Sequence, residues 1–348
     1  MFKMCDTSIM MCLNHQWMVT ALFTCLGLML QVMPTDSQDH LTYGSSIKVT
    51  TLEIEPYVMV RDRSRNLTDP ARYEGYIIDL VQEISEVLGF RFQISPVKDN
   101  SYGYVQSDGT WDGMIGQLVR KASEVDIAAA PLYVTRHRSE VVDFTRPFLD
   151  VYATILMRRP PTGREVPIKS VKDLAQQKAI KYGTLNTGVI IRAFRRSNNT
   201  LYRTLWENMK AEESAFTRTN EEGIEKCRKE KFAFILPSTI GDYISRRYPC
   251  DLVTVDKFLM QRGYGLAVQK GSALLPKLNK VLVLLEVNGF LHRLYQKWWI
   301  KRSECNGIKT SKHTLSFNSA YSVHYFHPQL LALLWLILLL QVLLSAHR

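Results

Sequence analysis

At 348 residues the chain is long enough for two core-bearing lobes, and 46% hydrophobic residues place it among globular rather than disordered proteins. A formal charge of +11 raises nucleic acid as a partner, but the basic residues stand in short groups such as Arg195-Arg196 and Arg246-Arg247, with carboxylates interleaved. That is the pattern of solvated faces, so no nucleic acid partner is expected.

Trp17 to Met33 (WMVTALFTCLGLMLQVM) is an apolar run behind a short segment carrying Lys3, and polar residues follow at once. This order fits a secretory signal peptide over residues 1–36 better than a membrane span. From residue 47 to 299, strand and helix signals alternate. IKVTTLEI reads as a strand, and Ile77 to Leu88 as a helix with apolar residues at three- and four-residue spacing, stopped by Gly89. FRFQISPV is the next strand, Met114 to Ala122 a helix, and VDIAAA a buried strand. Ser170 and Asp173 make a capping box, AIKYGTL a strand, and Val189 to Arg196 a helix beginning beside Gly188. Glu221 to Glu230 is helical, FAFIL a strand, Thr239 to Arg247 helical, and Leu274 to Val287 a long helix closed by Gly289. The order implies an α/β protein of two lobes, each a sheet flanked by helices, with ligands expected in the cleft between them.

Beyond it, Leu330 to Ala346 (LLALLWLILLLQVLLSA) is nearly all apolar. Its 17 residues reach roughly 25 Å, short for a hydrocarbon core of about 30 Å. Asn318, Ser319 and Ala320, a spacer within residues 306–329 and the apolar run give the order of a glycolipid-anchor signal, with Asn318 as the attachment site. A short transmembrane helix is the alternative. Both hold the protein at a membrane, on its extracellular face.

Export makes Cys227, Cys250 and Cys305 interpretable as at most one bridge plus a leftover thiol. It also makes the sequons at Asn66 and Asn198 usable for glycosylation. No nucleophile elbow, zinc-protease helix, Walker loop or dinucleotide fingerprint occurs, and His137 and His292 stand alone. The sequence therefore disfavours an enzyme and calls for no cofactor and no metal. In PLYVTRHRSEVVDFTRPF, Arg136 to Glu140 follow an apolar strand. A guanidinium there can clamp an anion, but the charges alone favour a solvated turn.

EPYVM, ARYEGYIIDLVQEISEVLGF, SYGYVQSDGTWDGMIGQL and DIAAAPLYVTRHRSEVVDFTRPF together resemble the first ligand-binding segment of ionotropic glutamate receptors, nearest the kainate-type branch. PIKSVKDLAQQKAIKYGTLNTG and GYGLAVQKGSALLPKLNKVLVLLEVNGFLHRLYQKWW resemble the second. The resemblance covers residues 47–305 and implies a clamshell of the periplasmic-binding-protein type II class. Its first lobe would run about 47–146 and 264–299, its second about 147–263. It further implies Arg138 as the carboxylate clamp, Tyr102 as an aromatic roof and Pro131 as a carbonyl acceptor for an amine, with Tyr133 where a small residue is usual. After Gly188, Val189 and Ile190 stand where a hydroxyl pair receives the distal carboxylate, leaving backbone N–H groups at that helix start, and Pro237 replaces the acid that pairs with the ligand ammonium. Cys250 and Cys305 match the family's disulfide, and Cys227 would be semi-exposed or paired with another chain.

The pore segment of the receptors has no counterpart. MRRPPTGREVPIKS joins the two halves directly through a turn at Pro160 to Gly163, and no run between residues 34 and 329 is of spanning length. Three readings follow: a module binding a small carboxylate or amino-acid-like ligand, an interaction protein for glutamate receptor subunits or for itself, and a solute-binding protein. A channel subunit remains if the pore is missing only from this sequence.

Overall fold

In the computed structural model, residues 46–120, 125–161 and 164–305 are described. The expected signal peptide, Thr162 and Gly163 of the turn, the spacer, Asn318 and the apolar tail lie outside them.

Two five-stranded sheets organise the chain. The first runs Arg91–Pro96, Ser46–Thr51, Ile127–Ala128, Ala267–Gln269, Val142–Phe144 in space, its first three strands parallel and the fourth antiparallel to both neighbours. In Ser46–Thr51 the alternation places Ile47 and Val49 inside and Ser46 and Lys48 in solvent. The helix Tyr76–Leu88 lays Ile77, Leu80, Val81, Ile84 and Leu88 in the same core and ends at Gly89, whose φ of 73° lies in the left-handed region glycine enters freely.

The second sheet runs Leu252–Tyr264, Leu149–Arg158, Phe232–Pro237, Lys181–Leu185, Phe216–Thr217. The chain passes between the sheets twice, from Phe144 to Leu149 and from Tyr264 to Ala267. The two crossings are bonded to each other: Phe148 N donates to Tyr264 O at 2.9 Å and Thr145 N to Leu266 O at 2.9 Å. Two lobes joined by a bonded pair of crossings make a clamshell.

The helices Leu274–Val287 and Phe290–Tyr295 return to the first lobe, and Trp298 and Trp299 are sealed in its core. Trp299 meets the edges of Tyr57 and Tyr76 at 5.5 Å, stacks on Tyr295 at 4.8 Å, and donates its indole N–H to Thr239 O at 2.7 Å.

Two expectations need correction, and one helix was not foreseen. The helix Thr200–Lys210 carries no signal in the reading above, because it buries only Leu205 and Met209; Asn199 starts it by accepting from Leu201 N and Tyr202 N. The helix expected over Met114 to Ala122 is Gly113–Val119, and at Arg120 the backbone turns extended. Cys227 is neither semi-exposed nor available to another chain: it is fully buried in the helix Asn220–Lys229, where its Sγ–H donates to Leu156 O at 3.3 Å.

Cys250 and Cys305 are bonded, their Cα atoms 5.7 Å apart across a separation of 55 residues. Chain-entropy arguments give such a link about 4 kcal/mol. Replacing both cysteines by serine is expected to lower unfolding stability by up to that amount, measured by denaturant titration; an unchanged midpoint would show that the link does not stabilise the fold.

Candidate ligand-binding cleft

Arg138 is the most constrained charged group of the cleft. It sits on the one-turn helix Arg136–Ser139, where Thr135 Oγ1 accepts from its backbone N–H at 3.4 Å. The solvated-turn reading holds for Arg136, His137 and Glu140, which are exposed, and fails for Arg138, which is 6% exposed. Its Nε and Nη2 donate to Gly103 O at 3.4 and 3.2 Å, and its Nη1 to Tyr133 O at 3.2 Å. Gly103 is required for this: its φ is 118°, and a Cβ there would lie 2.4 Å from the Ile115 side chain. The guanidinium carbon stands 5.6 Å from the centre of the Tyr104 ring.

Arg192 reaches the same ring from the other lobe, on the helix Val189–Arg195, at 5.8 Å. Burial pulls the Arg138 pKa down; Tyr104 opposes this and the Arg192 charge adds to it. Arginine ion pairs among the described residues involve Arg65, Arg146, Arg228, Arg247 and Arg302, and neither Arg138 nor Arg192. The cleft thus holds two guanidiniums against one phenol ring, with no carboxylate in ion-pair contact with either and the Asp112 charge acting on Arg138 from farther off.

Tyr133 forms a bridge with Tyr264, their rings 4.8 Å apart and edge to face. Against it, from the second lobe, come Val151, Tyr152, Val189, Ile190 and Leu259, enclosing a cavity of about 20 Å³, room for about one water. Val189 and Ile190 therefore meet an apolar seam, and the helix they start has seven residues behind Gly188 at φ 100°. Pro237 ends its strand opposite Ala153, which lines the same cavity, so the two share a face of the sheet. Beside it, Ser238 Oγ accepts from Tyr152 N at 3.1 Å. Nearby acids are engaged elsewhere: Glu55 accepts from Tyr243 at 3.2 Å, and Asp242 from Lys257 at 2.8 Å. Tyr102 is half-buried against the cluster of Leu52 and Met114, its phenol pushed upward in pKa by burial; Pro131 is buried.

Residues 45–161 match a family model described as the ligated ion channel L-glutamate- and glycine-binding site. Over 408 residues the chain is 29% identical to proteins named glutamate receptor 3 from Mus musculus, Macaca fascicularis and Homo sapiens. The matches cover 80% of this chain and 45 to 46% of those proteins, so it spans under half of their length. Residues 45–161 are thus similar to the glutamate- and glycine-binding segment of ligand-gated ion channels, and the wider chain is similar to part of proteins named as glutamate receptors.

Three residues of this cleft escape sequence reasoning. Tyr104 lies two places from Tyr102 in a motif read for its neighbour, Arg192 one helical turn after Val189, and Tyr264 at the end of a long strand. Only Tyr104 had a local signal, an aromatic in a loop flanked by glycine.

Cys227 is distant from this chemistry. Burial pushes its thiol up to about 12, so thiolate is scarce at neutral pH. Maleimide is expected to leave it unlabelled at pH 8 until denaturant is added, read by intact mass; labelling of the folded protein would contradict its burial.

Proposed function

We propose that this chain is an extracellular, membrane-anchored binding module that takes a small carboxylate or amino-acid-like ligand between its lobes through Arg138. The observation that carries the reading is the buried Arg138 guanidinium with no carboxylate partner among the described residues, fixed by backbone carbonyls at the cleft. It is a receptor-type module rather than an enzyme, in keeping with relatives named as receptors. A conducting pore is not part of the proposal. No helix of the described residues is long and apolar enough to cross a membrane. Because 80% of 348 residues is about 278, the 408-residue match also includes about 130 positions without counterpart here. Asn66 and Asn198 are exposed, as glycosylation at the cell surface requires, and the apolar run at 330–346 would supply the anchor.

The small interlobe cavity favours a second reading: a module retired from ligand binding that associates with receptor subunits or with itself. Calorimetric titration of the full chain with glutamate, glycine, propanoate and pentanedioate separates the two. An acid is expected to bind and to lose about 100-fold or more on Arg138→Gln. No heat from any acid, or binding indifferent to that change, would leave the association reading.

The anchor has its own test. A phospholipase specific for glycosylphosphatidylinositol is expected to release the protein from cells; retention would point to the transmembrane alternative.

A further inference from the structure

Resting on the carboxylate reading above, we infer that the ligand is an amine-free carboxylate with a short apolar tail, its head on Arg138 and its tail against Val189, Ile190, Ala193 and Leu259. The head is argued from charge. Arg138 and Arg192, one from each lobe, converge on Tyr104 with no carboxylate in ion-pair contact; the acid that acts on Arg138, Asp112, is itself held by Ser101, Tyr104 N and Gln106, so an anion between the two guanidiniums relieves the approach of the lobes. The tail is argued from the cavity beside it. Its lining includes Val151, Ala153, Val189, Ile190, Ala193 and Leu259 and carries no charged side chain, so a second carboxylate pointed there would be desolvated without a partner.

The missing amine is argued from the wall. Pro237 lies opposite Ala153 in the sheet register and offers neither a carboxylate nor a backbone N–H, while Glu55 and Asp242 are bound to Tyr243 and Lys257. An ammonium placed beside Pro237 would meet no carboxylate, with backbone carbonyls such as that of Pro131 as its only acceptors. With room for about one water in the closed state, the ligand enters only with the lobes apart, and its tail takes over part of the Tyr133 contact with the second lobe. A short tail is therefore preferred to a long one.

The test compares 4-methylpentanoate, leucine (the same skeleton with an α-amine) and pentanedioate by calorimetry on the full chain, with Arg138→Gln, Ile190→Asn and Pro237→Glu variants checked for thermal unfolding. The expected result is that 4-methylpentanoate binds at least about 10-fold tighter than either competitor and that Ile190→Asn removes that advantage. Pro237→Glu is expected to shift preference toward leucine by about 10-fold or more, a gain that a misfolded variant cannot give. Equal or tighter binding of leucine overturns the amine-free assignment. Preference for pentanedioate, still lost on Arg138→Gln, overturns the apolar tail while leaving the carboxylate reading standing. No binding of any acid to a folded chain removes that reading and this inference together.

Discussion

The cleft depends on one desolvated cation. A guanidinium taken out of water costs several kcal/mol unless its donors are met. Arg138 meets them with the carbonyls of Gly103 and Tyr133, which belong to different loops of the first lobe. That requirement propagates. Gly103 must hold a left-handed backbone against Ile115, Thr135 must start a single turn of helix, and Tyr133 must present its carbonyl to Arg138 while its ring faces the second lobe. The same residue that helps bury the charge thus forms the first-lobe wall of the apolar seam.

The second lobe answers with two unlike contacts. Val189 and Ile190 meet Tyr133 as apolar surface, which favours closure at about 25 cal/mol for each Å² removed from water. Arg192, three residues on, brings a second positive charge to Tyr104. An aromatic face attracts each cation, yet the cations repel each other. The cleft is therefore apolar on one side and electropositive on the other.

Much of this fold was legible because its signals are local. Alternation in Ser46–Thr51 and the apolar spacing of Tyr76–Leu88 up to Gly89 appear as elements, and Ser170 caps its helix by accepting from Asp173 N at 3.1 Å. The helix Thr200–Lys210 was illegible because two buried residues do not make a stripe. In the cleft, likeness of motif pointed to Arg138, but its burial was hidden by exposed neighbours at Arg136, His137 and Glu140. The meeting of Tyr104 with Arg192 had no local trace, since it exists only where two lobes close on each other. Cys227 misled for the reverse reason: a charged helix suggests exposure, yet the thiol occupies its one inward face with Gly223 and Ile224.

The end of the described chain ties the lobes differently from the cleft. Trp298 and Trp299 belong to the first-lobe core, but Trp299 donates to Thr239 of the second lobe, and Cys305, a few residues later, is bonded to Cys250 of the second lobe. Glu304 reinforces that link by accepting from Tyr248 N and Arg247 at 2.9 Å. Cys305 therefore follows the second lobe although the helices before it follow the first. Between Trp299 and Cys305 the chain passes from the first lobe to the second, where the regular α-helix has already given way to the wider turns of Gln296–Lys301.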